Sequence, residues 1–291
     1  MNLVLHIILI LLSVAFFTLY ERKILGLIQL RKGPNKVGPV GLLQPFSDAL
    51  KLFSKFSSAP IKGNLVLYYF TPLYFLLLSL MFFLNKPFFS SSFFTLSMLI
   101  LLFLYTTSVY TTLVTGWSSN SKYSLIGSMR SVAQSLSYEV TLGLLFFSFA
   151  FLMSSTLLYK IINFKSFLLQ LFFFPILTIL FLNYLVESNR TPFDLSECES
   201  ELVSGFNVEF GGAEFSLIFL GENLMLVLNS LVLSVLAGSS PTYLILWILI
   251  IYLKISIRGA YPRYRLDSMM ELCWLIFLPF TLILLSSLYL L

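Results

Sequence analysis

The sequence predicts an all-α, polytopic integral membrane protein: one membrane domain over residues 1–291, with eight transmembrane helices and an amphipathic helix in the first inner loop. Three observations carry that prediction. Mean hydropathy is +0.93, and 58% of residues are hydrophobic against 11% charged, a balance that excludes an ordinary soluble domain. Eight apolar runs each approach the ~20 residues that a bilayer requires, allowing for tilt. No hydrophilic block between them is long enough for a second domain, and no short repeat, low-complexity tail or flexible linker interrupts them.

In chain order the runs cover about residues 3–19, 67–84, 93–114, 140–158, 167–185, 211–236, 243–257 and 272–290. The first lacks a basic leading region, its charges Arg22 and Lys23 follow the apolar stretch, and no small-residue cleavage pattern comes after it. It therefore reads as a retained helix and not as a signal peptide. Of 18 Lys and Arg, only Lys86, Lys160 and Lys165 fall in even-numbered connections; the rest fall in the odd-numbered ones and the helix turns leading into them. By the positive-inside rule the odd connections are inside and both termini outside. All 13 acidic residues belong to those inner connections or to the helices that lead from them. One side of the protein thus holds the chemistry.

The first inner loop, about residues 21–65, begins ERKILGLIQLRKGPNKVGPVG, whose Gly- and Pro-rich end predicts a turn-rich loop. Beyond it Leu42, Leu43, Phe46, Ala49, Leu50 and Phe53 recur at helical spacing, opposite Asp48, Lys51 and Lys55. That pattern predicts an amphipathic helix lying in the membrane interface or against a partner.

The acidic inner loop, residues 187–210, holds Glu187, Asp194, Glu197, Glu199, Glu201 and Glu209 with one base, Arg190. Its start reads as a helix start, with Thr191 at the N-cap, Pro192 at the first helical position and Asp194 at the third. At helical spacing Asp194, Glu197 and Glu201 share a face, and crowded carboxylates favour protonation of at least one of them, the property of a proton-handling site. The alternative reading is a solvated acidic loop.

Two acids sit where charge is costly. Glu222 lies midway along the sixth run, where a carboxylate costs at least about 2.5–3.5 kcal/mol on insertion scales, so it is expected to face the bundle interior. Glu139 is expected to begin the fourth helix after a polar approach, GSMRSVAQSLSYE, with an interfacial position as the alternative. Glu214 and Glu271 stand at predicted helix N-termini, where the helix dipole stabilises them without any further role. The last inner connection, RGAYPRYRLDSMME, gathers Arg258, Arg263 and Arg265 beside Asp267, either as a topological anchor or as a dock for a polar headgroup. Cys198 and Cys273 are far apart, His6 is the only histidine, and no nucleotide-binding glycine motif occurs. No bound metal, flavin or nucleotide is therefore expected, and nothing points to nucleic acid.

The motifs ERKILGLIQLRKGPNKVGPVGLLQPFSDALKL, QSLSYEV, ESNRTPFDLSECESELVSGFNVEF and RGAYPRYRLD carry a resemblance that runs essentially end to end. The sequence resembles the chain 1 family of NADH–ubiquinone oxidoreductase, the quinone-chamber membrane subunits of respiratory complex I, in its mitochondrial form. The resemblance implies a core subunit of a proton-translocating reductase that holds no redox centre itself. Such a subunit lines the tunnel by which ubiquinone, the substrate, approaches a neighbour's iron–sulfur cluster. It further implies a mitochondrial inner-membrane location, charged loops in the matrix, and both termini on the intermembrane-space side. Implied partners are the other membrane-arm subunits, the hydrophilic quinone-module subunits, ubiquinone and membrane lipids.

Carried over by motif, Glu139, Glu187, Glu197, Glu199, Glu201 and Glu222 resemble the family's proton-coupling carboxylates. Glu21, Arg22, Arg31, Asp48, Arg190, Phe219, Arg263 and Arg265 resemble its quinone tunnel and chamber lining. The family fold also implies a five-helix unit similar to half of an antiporter-like subunit, which the sequence pattern alone does not reveal. Two positions depart from the family: Phe56 follows Lys55 where Glu is usual, and Leu266 precedes Asp267 where Tyr is usual. Two other readings stand beside this one: a stand-alone ion-coupled transporter using Glu222 and Glu139 directly, and the homologous subunit of a membrane-bound hydrogenase or bacterial complex. The short N-terminus and compact loops favour the mitochondrial form. A transporter would work alone, whereas a complex subunit would be unstable without partners over its acidic loops.

Overall fold

A computed structural model describes residues 2–57, 59–84, 96–158, 160, 167–196, 202, 204–239 and 242–290. Among these residues regular structure is helical throughout, with no strand. We number the helices α1 (Asn2–Ile28), α2 (Gln44–Phe53), α3 (Leu65–Leu84), α4 (Ser97–Ser119), α5 (Lys122–Met153), α6 (Phe167–Glu187), α7 (Gly212–Ala237) and α8 (Tyr243–Ala260). The last, α9, runs through Leu266–Glu271, a π-helical segment Leu272–Phe277 and Leu278–Leu290. Seven of these helices, all but α2 and α6, are long and apolar enough to cross a membrane over their described residues. α6 contributes a shorter apolar helical stretch over its described side chains, Phe174–Glu187.

The helix positions agree with the apolar runs, but several ends extend further, because polar residues continue helices that hydropathy alone cuts short. α1 reaches Ile28 and so carries Glu21, Arg22 and Lys23 on helical backbone. α5 begins at Lys122, so the polar approach to Glu139 is itself helix and Glu139 stands within it, not at its start. Ser121 caps that helix by accepting from the Ser124 amide at 3.3 Å. Its serines return their hydroxyls to the chain, as when Ser131 donates to the Ser128 carbonyl at 2.8 Å and Ser137 to the Gln134 carbonyl at 2.7 Å. Hydroxyls satisfied in this way can be buried in a helix bundle without open hydrogen bonds. α9 starts at Leu266, which places Glu271 inside the helix instead of at its N-terminus.

The expected helix start at Thr191 is corrected. Residues 191–196 form turns, with the Phe193 amide donating to the Arg190 carbonyl and the Leu195 amide to the Phe193 carbonyl. Distant partners described below hold this segment, and they override a local capping pattern. The solvated-loop reading fails here as well, since Pro192 to Ser196 are buried. Glu197, Glu199 and Glu201 lie outside the described residues.

Helices α3, α4, α5, α6 and α7 each pack on the next, and α7 closes on α3, giving a ring of five. α7 is its innermost member: 83% of its apolar window is buried, against 17–44% in the other six spans. A helix apolar on every side requires such a position. α8 and α1 pack outside α7, α2 lies against α1 and α7, and α9 covers α5. The first inner loop turns where sterics demand glycine: Gly41 has φ +77°, and a Cβ there would stand 2.2 Å from the Pro34 carbonyl oxygen. Lys23 ties this loop down by donating to the Val40 carbonyl at 2.7 Å.

Gly127 lets α5 approach the turn Gly205–Asn207, where a Cβ would meet the Phe206 amide nitrogen at 2.8 Å. Gly127→Val is expected to lower stability by about 1–3 kcal/mol through overpacking against backbone. The measurement is thermal inactivation of the assembled protein, with Gly143→Val, a position open to space, as the control.

Candidate functional site

Three polar constellations lie at or near one end of the bundle, the end to which α1, α4, α6 and α8 run and from which α3, α5, α7 and α9 start. The first is an ion knot. Glu21 of α1 is only 6% exposed, and Arg258 of α8 hydrogen-bonds its carboxylate. The Arg190 guanidinium lies 3.6 Å from the same oxygen and donates to the Asn223 side chain of α7 at 3.1 Å. One carboxylate thereby joins α1, α8, α7 and the segment after α6.

Further contacts fix that segment. Gln134 of α5 donates to the Val186 and Phe193 carbonyls at 2.7 and 3.0 Å. Thr191 donates to the Arg258 carbonyl at 3.2 Å, and the Tyr264 amide donates to the Pro192 carbonyl at 2.9 Å. Arg263 pairs with buried Asp194 at 3.1 Å, while the Phe193 and Tyr264 rings stack with centroids 5.3 Å apart. Arg263 thus reaches the acidic segment, and Asp267 stays exposed.

The second constellation is a groove of about 390 Å³ between α1, α2 and α7. Its walls are apolar, from Ala15, Pro45, Leu52, Phe53, Phe215, Phe219 and Leu220, and its rim carries Arg22, Asp48, Lys51 and Lys55. Arg22 and Asp48 pair at 2.6 Å, and the Phe215 and Phe219 rings stack at 6.3 Å. The expected amphipathic helix α2 supplies one whole wall. An apolar cleft with few charged groups at its edge suits an elongated apolar ligand with a polar head.

The third is a small cavity of about 50 Å³ inside the five-helix ring, lined in part by Glu187, Glu222, Ser108, Ser131, Ser135 and Tyr138. Glu222 therefore faces the interior, as expected of a mid-helix carboxylate. Glu187 is the last residue of α6 and accepts from Asn229 of α7 at 3.0 Å. Asn229 also accepts from Tyr105 of α4 at 2.8 Å, and Tyr105 donates to Tyr184 of α6 at 3.5 Å. Glu139 is half-buried on α5, next in sequence to the cavity-lining Tyr138.

Of the residues expected from sequence, Arg22, Asp48 and Phe219 meet at the groove, Glu21 and Arg190 in the knot, and Glu187 and Glu222 at the cavity. Arg31 and Arg265 are exposed and line neither the groove nor the cavity. Phe56 is fully exposed beside the groove residue Lys55, and Leu266 is half-buried at the start of α9. Sequence reasoning missed Gln134, Tyr105, Tyr184, Asn229 and Lys254. For Lys254 and Asn229 the signal was available, because each interrupts an apolar run as Glu222 does. Among the described residues no group of three or more His, Cys, Asp or Glu stands together in a way that could hold a metal.

A ring of apolar helices that keeps acids in its interior and gathers charged loops at one end defines a polytopic all-α membrane protein. The chain belongs to the NADH dehydrogenase family, whose profile matches residues 1–288. Among its relatives, NADH-ubiquinone oxidoreductase chain 1 of Aedes aegypti is 46% identical over 285 residues, covering 95% of this chain and 90% of that protein. The Artemia franciscana protein of the same name is 45% identical over 287 residues, covering 96% and 94%. That of Locusta migratoria is 43% identical over 287 residues, covering 97% and 92%.

The knot generates a contrast in stability. Glu21→Gln takes the buried carboxylate away from two half-buried guanidiniums, 15% and 31% exposed, and is expected to cost about 2–4 kcal/mol, somewhat less than breaking a fully buried pair. Asp48→Asn, at an ion pair with both side chains at least 36% exposed, is expected to cost no more than about 1 kcal/mol. Thermal stability of the assembled complex checks both.

Proposed function

We propose that the chain is a core membrane subunit of NADH:ubiquinone oxidoreductase, complex I, in the mitochondrial inner membrane. In this reading the groove between α1, α2 and α7 admits ubiquinone, and the acids of the ring begin the path that couples quinone reduction to proton translocation. The observation that carries it is the meeting of Glu187 and Glu222 in one interior cavity, in a chain whose relatives carry the name NADH-ubiquinone oxidoreductase chain 1. The polyisoprenoid tail of ubiquinone matches the apolar walls, and Arg22 and Asp48 mark the rim that its headgroup passes. Reduction of the quinone consumes protons and changes the charge at the loop end of the bundle. Acids in a medium of low dielectric feel that change strongly and answer it by exchanging protons. The segment held by Gln134, Arg258 and Arg263 connects the charged loops to Glu187, so it is the mechanical and electrostatic link in the scheme. The charged loops then face the matrix and both termini the intermembrane space, with hydrophilic quinone-module subunits covering the loops. Glu197, Glu199 and Glu201 extend the same acidic path.

Two substitutions in the assembled complex test the reading. Glu222→Gln is expected to lower rotenone-sensitive NADH:ubiquinone turnover or proton pumping by more than about tenfold with assembly intact, in the range of a lost proton-transfer group. Wild-type turnover and pumping together would make Glu222 structural. Ala49→Trp, which fills the groove from α2, is expected to raise KM for a long-chain ubiquinone by about tenfold, equivalent to ~1.4 kcal/mol of lost binding. An unchanged KM would remove the groove from the quinone path.

A further inference from the structure

Helix α8 buries a polar group that neither the groove nor the ion knot uses. Lys254 interrupts the apolar sequence of α8, is 4% exposed, and its ammonium has no hydrogen-bond partner among the described residues. It lies 5.6 Å from the centre of the Tyr184 ring. Glu187 shows the complementary deficiency: Asn229 occupies its Oε2, while its buried Oε1 has no hydrogen-bond partner among the described residues. One network joins the two, from Glu187 through Asn229 and Tyr105 to Tyr184, whose ring faces Lys254. Lys254 and Glu187 are thus the two ionisable ends of this network, each with an open polar atom. A buried ammonium in a membrane-spanning bundle without a countercharge is unfavourable, and so is a lone buried carboxylate.

We propose that Lys254 is the positioning countercharge of Glu187. Its ammonium orients the open carboxylate oxygen and sets the charge at this end of the cavity, so that a proton arriving at Glu187 leaves Lys254 uncompensated. The pair then has two charge arrangements, and the interior acid is tied to α8 as well as to the ring. This inference rests on the proposed role of Glu187 in carrying protons.

The test compares Lys254→Met, Lys254→Arg, Glu187→Gln and the double variant Glu187→Gln/Lys254→Met in the assembled complex. Turnover, protons pumped per electron pair and the yield of assembled complex are measured. Breaking one half of a buried pair is expected to lower pumping-linked turnover at least about tenfold in Lys254→Met. Lys254→Arg is expected to recover most of it, and the double variant to be no more impaired than Glu187→Gln alone. Should Lys254→Met fail to assemble, recovered yield in the double variant supports the pair and unrecovered yield overturns it. Effects of the single variants that simply multiply in the double also overturn it. So does a wild-type Lys254→Met beside an impaired Glu187→Gln, an outcome that leaves the coupling role of Glu187 standing. Wild-type pumping in Glu187→Gln, with Lys254→Met rescued by that change, sinks the coupling reading and keeps the pair.

Discussion

A carboxylate carried by a membrane-spanning helix has to find its counterions inside the protein, because lipid supplies neither water nor charge. Glu21 meets that requirement with two guanidiniums from separate parts of the chain, Arg190 and Arg258. The arrangement constrains far more than one side chain. It fixes the end of α1 against α8, and through Arg190 and Asn223 it fixes both against α7. The segment that carries Arg190 is in turn held by Gln134, Thr191 and the Arg263–Asp194 pair. Groove and cavity therefore share a frame: α7 forms one wall of the groove with Phe215 and Phe219 and one wall of the cavity with Glu222 and Met225. A change of charge near the knot has a short covalent and hydrogen-bonded route to both.

The membrane class was legible because repeated hydrophobic runs of bilayer length, nearly free of charge, match the thickness of a hydrocarbon layer and little else. Glu222 was legible by the same logic, since an acid in the middle of such a run must face inward. Helix ends were harder to place. Hydropathy stops at the first polar residues, but serines can return their hydroxyls to their own helix, so α5 continues through the stretch around Gln134 that composition reads as an approach. The turn at 191–196 was misread for the opposite reason. Thr191, Pro192 and Asp194 fit a helix cap locally, whereas their actual partners, Arg258, Tyr264 and Arg263, lie some seventy residues away. Spacing within one segment carries no information about such partners. The five-helix ring was invisible for a related reason: each of its members is apolar on most sides, so no face in the sequence declares its neighbour.

The same distinction separates the two kinds of charge in this molecule. Arg22 and Asp48 remain in contact with solvent at the groove rim, where water screens them and their pairing has little energetic weight. They can part and re-form at little cost. Glu21 has no such freedom, because separating it from Arg190 and Arg258 leaves a buried carboxylate without its counterions in a medium of low dielectric. The rim is thus loosely held and the interior tightly held. The helix that touches both is α7, and its burial on all sides makes it a rigid strut between them.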